Sequence, residues 1–280
     1  MKTTTNDVKS TKGGLTMNIN DYALEVSKGI EGATPCEVEK ANGVICHGVA
    51  VPTNNGTIKA NIYIDECYDA GYTIDDARAH VMRVMRTDAV QGADFNIDWI
   101  YDYAQVIPHL TARLYNKSTS ADVYKSADVY GFSDLIIVPY VNIDNLPNGA
   151  GGVKVTNELV KTWNVTPDEV IEMAEQNAQA TAKLQSMSEI LAQFGMPVGD
   201  GFPMWVLTND TKCYGAYAII AKLDELKAKF KDGFTVLPSS VHEVIIVTEK
   251  DEALSDLVRC VNGEQVRPDE QLSDHAYIFS

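Results

Sequence analysis

The feature that most constrains this chain is a pair of strand-like runs joined by a tight-turn signal. Val44 to Val51 and Thr57 to Ile64 are rich in β-branched and aromatic residues, and Pro52-Thr53-Asn54-Asn55-Gly56 lies between them. Asn and Gly tolerate positive φ, so the spacing predicts a hairpin. A third run, Glu37 to Ala41, precedes them, and Thr73 with Asp76 three residues later marks the start of a helix. Ile74, Ala77, Val81, Val84 and Met85 then recur on one helical face.

The same grammar continues. A first amphipathic helix is expected from Ile19 to Gly29, and Phe132 to Val141 reads as a buried strand. Thr166-Pro167-Asp168-Glu169 is a helix start with Thr at the N-cap, Pro at N1 and Glu at N3. That helix is expected to run to Lys183, followed by helices at Ser186 to Phe194 and Tyr214 to Phe230. Strand signals fall at Val153 to Thr156, Met204 to Thr208 and Ala276 to Phe279, a hairpin at Phe234 to Val247, and a short acidic helix at Lys250 to Val261. Hairpins mixed irregularly with helices predict an α+β fold of mixed or antiparallel sheets with packed helices.

Length and composition bound the rest. A chain of 280 residues, 45% hydrophobic, makes one large domain or two intimate halves, expected at 18–147 and 148–280. The 39 acidic and 23 basic residues leave a net charge of -16, and the pI is 4.6. Such a surface argues against nucleic acid and anionic membranes as partners, because both are held through Lys and Arg. No run approaches the ~18 apolar residues of a membrane helix. Five scattered cysteines without a C-x-x-C pair point to reduced thiols in the cytoplasm. Residues 1–17 are expected to be disordered or an over-called leader. Lys12-Gly13-Gly14-Leu15-Thr16 can be encoded by a purine-rich ribosome-binding run just ahead of a start codon at Met17.

Segment 120–131 repeats itself: Ser-Ala-Asp-Val-Tyr-Lys, then Ser-Ala-Asp-Val-Tyr-Gly. A period of six is too short for a solenoid unit. Duplication in an exposed loop is the plain reading, and a Tyr-bearing recognition element the sharper one. Gly149, Gly151 and Gly152 match no phosphate-binding fingerprint, so no cofactor is expected.

Several short motifs carry a family resemblance: Asn42-Gly43-Val44 with His47-Gly48, Ile62-Tyr63-Ile64, Asp134-Leu135, and Thr156-Asn157 with Trp163. Val206-Leu207-Thr208-Asn209 with Gly215-Ala216, Val236 to Val244, and Leu272-Ser273-Asp274 complete the set. The sequence resembles a bacterial family of unknown function common in gut Gram-positive anaerobes and their mobile elements, marked by Leu-Pro-Ser-Ser-x-His-Glu. The resemblance spans Asn18 to Phe279 and implies no activity, cofactor or catalytic residue.

Chemistry is therefore sought in the residues. His242-Glu243 is not a zincin motif, because Ile246 stands where the second histidine belongs and strand neighbours face opposite ways. A discontinuous site is the remaining candidate. Ser240, His242, Asp274 and His275 could form a catalytic relay, and His47, His242 and His275 a metal site, if pairing of their strands brings them together. The plain alternative is that the serines satisfy a turn and the histidines are hydrogen-bonded strand residues. The expectation is a non-catalytic module binding another protein; a hydrolase or metal-dependent enzyme is the alternative.

Overall fold

The computed structural model describes residues 9–10, 16–53, 59–87, 98–143, 151–196, 203–238 and 240–280. The expected turn residues 54–56 lie outside them, as do Gly149, Ser239 and most of the proposed leader. Inside that leader, β1 (Lys9–Ser10) pairs antiparallel with β2 (Thr16–Met17). The chain forms two compact units: Met1–Lys40, Val44–Asn96 and Asn145–Gly149 make the first, and Ala41–Gly43, Ile97–Asp144 and Ala150–Ser280 the second. In the second unit β6 (Leu110–Asn116) pairs with β8 (Leu135–Ile143), and β8 pairs in turn with β9 (Gly151–Lys154).

In the first unit, β3 (Thr34–Glu39), β4 (Ile45–Pro52) and β5 (Lys59–Tyr63) form an antiparallel sheet with β4 central. Helix α1 (Ile19–Ser27) packs on β3 and β4, and short α2 (Asp65–Asp69) comes after β5. Helix α3 (Ile74–Met85) begins as the sequence dictates: Thr73 Oγ1 accepts the Asp76 amide and donates to its carboxylate at 2.7 Å. Tyr22, Val26, Val49, Val51, Ile64, Ala77 and Val81 close the core.

The second unit holds two antiparallel sheets. The first contains β6, β7 (Lys125–Ser126), β8 and β9, with β8 pairing with the other three. The second runs β10 (Lys183–Ser186), β11 (Met204–Thr208), β13 (Val244–Val247), β12 (Phe234–Leu237), β14 (Tyr277–Phe279). This is an α+β architecture with antiparallel sheets. Short α4 (Tyr103–Val106) leads into β6, and α5 (Asn157–Trp163) precedes α6 (Pro167–Thr181), which packs on β6 and β8. The α6 start is a complete capping box between Thr166 and Glu169, and Ser186 with Glu189 repeats it for α7 (Met187–Gln193). The hydrogen bonds of these boxes hold both glutamates below the usual carboxylate range. No helix among the described residues is long and apolar enough to cross a membrane.

The expected helix from Tyr214 to Phe230 is shorter and broken, into α8 (Ala218–Ala221) and α9 (Leu223–Lys229). Its first turn is diverted. Gly215 and Ala216 donate to the carbonyls of His242 and Val241, and Tyr214 takes a left-handed φ of 52°. Tertiary hydrogen bonds outweigh helix propensity here. The acidic helix also shifts, to α10 (Leu254–Gln265).

Candidate functional site

The sequence-derived candidates fall into three separate hydrogen-bonded groups. His47 belongs to the first unit. Its Nδ1 meets Asp65 Oδ1 at 2.9 Å, and its main-chain N–H donates to Asp65 Oδ2 at 2.9 Å. Asp65 opens α2, so this carboxylate ties the central strand to a helix start. Among the described residues, β4 pairs with β3 and β5, and β14 pairs with β12.

His242 precedes β13 and does not lie within it, because the strand begins at Val244 rather than Val241. The Tyr214 N–H donates to His242 Nδ1 at 3.1 Å, which assigns the ring proton of the neutral imidazole to Nε2. That nitrogen lies 3.5 Å from Glu270 Oε1. Ser240 Oγ accepts the His242 main-chain N–H at 3.0 Å. The hydroxyl therefore closes a turn, and the imidazole joins a loop to the segment at Glu270. Neither atom is placed to activate the other.

The third group is centred on a residue the candidate site left out. Asp134, ahead of β8, accepts Ser273 Oγ at 2.8 Å on Oδ2 and the Tyr277 hydroxyl on Oδ1. Asn116 Nδ2 approaches at 3.4 Å and donates to the Leu272 carbonyl at 3.2 Å. Burial, with the bond to Asp134, pushes the Tyr277 hydroxyl far above its ordinary pKa. His275 Nδ1 sits 3.1 Å from both Ser273 Oγ and Asp274 Oδ1, and 4.0 Å from Asp134 Oδ2. Because Ser273 gives its proton to Asp134 and a carboxylate has none to give, His275 Nδ1 carries the ring proton and faces two acceptors, Ser273 Oγ and Asp274 Oδ1. A serine relay needs the opposite order, with imidazole accepting from hydroxyl.

Of the residues expected to act together, then, Asp274 and His275 meet each other, Ser240 meets His242 through main chain, and His47 stands with Asp65. Among the described residues, no three His, Cys, Asp or Glu side chains converge as metal ligands. Two signals for the overlooked residues were present. Asp134 directly precedes the longest strand, β8, and Arg113 is a lone cation between Ala112 and Leu114 in β6.

These polar stitches explain why the short motifs stand where they do. A Cβ on Gly215 would lie 2.5 Å from Asn209 N and Thr208 Oγ1 and 2.9 Å from the His242 carbonyl. Only glycine admits this approach, which brings Thr208-Asn209 and Gly215-Ala216 against the His242 turn. Thr208 Oγ1 donates to the same His242 carbonyl at 3.0 Å.

The chain belongs to a family of unknown function, DUF5688, whose model matches residues 18–280. No curated protein and no solved structure matches it.

Proposed function

We propose that the chain is a non-catalytic module that binds another protein, with the tandem repeat at 120–131 as its contact surface. The observation that carries this reading is the unequal burial of the two copies. In the first, Val123 is buried and Tyr124 is 55% exposed; in the second, Val129 is 79% exposed and Tyr130 half-buried. Identical sequences thus turn different side chains outward: the tyrosine in the first copy and the valine in the second. The segment is held firmly: Val123 and Ala127 are buried, β7 pairs with β8, and Lys117–Asp128 and Lys125–Glu175 ion pairs span 3.0 and 2.8 Å. An outward tyrosine on a fixed frame offers large contact area at little entropic cost.

The partner would present basic side chains. Beside Tyr130 lies a cleft of about 340 Å³ walled by Tyr217, Glu172 and Asp224, with Glu175, whose charge Lys125 already meets, also in the wall. Carboxylates with aromatic faces suit an ammonium or guanidinium group. The five free cysteines are in keeping with a reducing cytoplasm. A relay or metal enzyme built on Ser240, His242, Asp274 and His275 is less well supported, since Ser240 Oγ accepts a turn N–H, the His242 ring faces Tyr214 N–H and Glu270, and Asp274 with His275 belongs to a different hydrogen-bonded group. A bound metal seen by native mass spectrometry, and lost in His242→Ala, would restore it.

The test is a photo-crosslinking residue at position 124 in the native host, with position 101, equally exposed at 58%, as control. A discrete adduct from 124 alone, lost in Val129→Asp and in Asp224→Lys, is expected. No adduct from 124, or the same adducts from both positions, would overturn the reading.

A further inference from the structure

The first sheet of the second unit buries a cation without an anion. Arg113 is 5% exposed. Its guanidinium lies 4.2 Å from the Tyr140 ring centroid and 3.9 Å from that of Tyr214. Nη2 donates to Asn142 Oδ1 at 3.0 Å, and Nε has no hydrogen-bond partner. Among the described residues no carboxylate pairs with it. Nor is a tyrosinate the counter-ion: burial pushes Tyr115 and Tyr140 above the ordinary tyrosine value, so both are neutral at physiological pH. A guanidinium stays charged under all such conditions, and an unpaired buried charge is costly. Two aromatic faces return only part of that cost.

The position is nevertheless built for this head group. Gly152 stands opposite Asn142 in the β8–β9 register, and a Cβ there would fall 2.6 Å from Arg113 Nη2. The register also puts Thr111, Arg113, Tyr140 and Asn142 on one face of the sheet. Thr111 and Asn142 are at the same time walls of a cleft of about 280 Å³, shared with His109, Asn177, Asn209 and Thr211. Asp210 also lines it, but its charge is taken up by Lys183. Nε and Nη2 form one edge of the guanidinium, the edge on which a carboxylate makes two parallel hydrogen bonds. The single carboxamide oxygen of Asn142 fills only half of it.

We propose that this cleft binds a small carboxylate-bearing molecule, whose carboxylate displaces the Asn142 side chain from the wall and engages both Nε and Nη2 of Arg113, which lies behind Asn142 and not in the lining. The size favours a small molecule, since the volume lies near the lower end of small-ligand pockets. The site is separate from the repeat surface and does not depend on the protein-binding reading.

The test tracks the Arg113 Nε–H resonance by NMR in the full chain, with acetate as probe and acetamide as its uncharged isostere. Acetate should shift the resonance saturably, and acetamide should not. Asn142→Asp places an internal carboxylate on the guanidinium; it should raise the melting temperature and weaken acetate binding at least about tenfold. An acetate effect no larger than that of chloride at equal ionic strength, or one matched by acetamide, would overturn the proposal. So would an Asn142→Asp protein that binds acetate as well as the wild type or melts lower.

Discussion

Ser273 Oγ and Asp134 Oδ2 are 2.8 Å apart across 139 positions of sequence, and the Tyr277 hydroxyl occupies the other oxygen of the same carboxylate. One aspartate thus gathers the start of β8 and the strand that ends the chain. Ser273 is 2% exposed, so water cannot replace its bond. Ser273→Ala should cost about 1–3 kcal/mol, the range for leaving a buried partner unsatisfied. Asp134→Asn should cost at least as much, because an amide N–H₂ then faces a hydroxyl proton. Urea denaturation of both variants checks this; midpoints within error of the wild type would refute it.

Gly215 and Gly263 should respond to alanine with opposite signs. The Gly215 Cβ would be driven into main chain, and overpacking of that kind costs roughly 1–3 kcal/mol. Gly263 lies inside α10 with nothing within 4 Å of its Cβ, so Gly263→Ala should stabilise by roughly 0.5–1 kcal/mol. Thermal melts of the two variants give the answer directly.

Alkaline pH should loosen the first unit through Tyr22. Burial, with smaller contributions from Cys67 and Asp76, pushes its hydroxyl up to about 12 from 10, and the hydroxyl donates to the Tyr72 carbonyl at 3.0 Å. A folded pKa above the unfolded one means stability that is complete below pH 10 and lost as pH rises towards 12. Tyr22→Phe lacks the bond and should be less stable at neutral pH, yet its stability should fall less steeply between pH 10 and 12. Parallel slopes for the two proteins would contradict the assignment.

Within the repeat, the two valines should separate cleanly. Val123→Ala removes the equivalent of two buried methyl groups and should cost about 2–3 kcal/mol, at ~0.8 kcal/mol per group plus a cavity contribution. Val129→Ala, at 79% exposure, should stay within about 0.5 kcal/mol of the wild type. Equal losses at both sites would show that the copies are equivalent in solution.

Features encoded locally were legible in the sequence. The Thr73, Thr166 and Ser186 helix starts, the hairpin of β12 and β13, and the α+β class come from capping chemistry, turn residues and period, which act over a few residues. The same local signals overextended the helix at Tyr214 and the strand at Val241, since both ends are set by hydrogen bonds from distant segments. Which polar groups meet was decided by tertiary structure alone. Sequence placed histidines, serines and aspartates within one chain, but strand order put His47 beside Asp65, His242 beside Glu270, and Ser273 beside Asp134. It also buried Arg113 between two tyrosines that lie 27 and 101 residues away. Pairing at such separations rests on packing and register, which no periodicity in the sequence records.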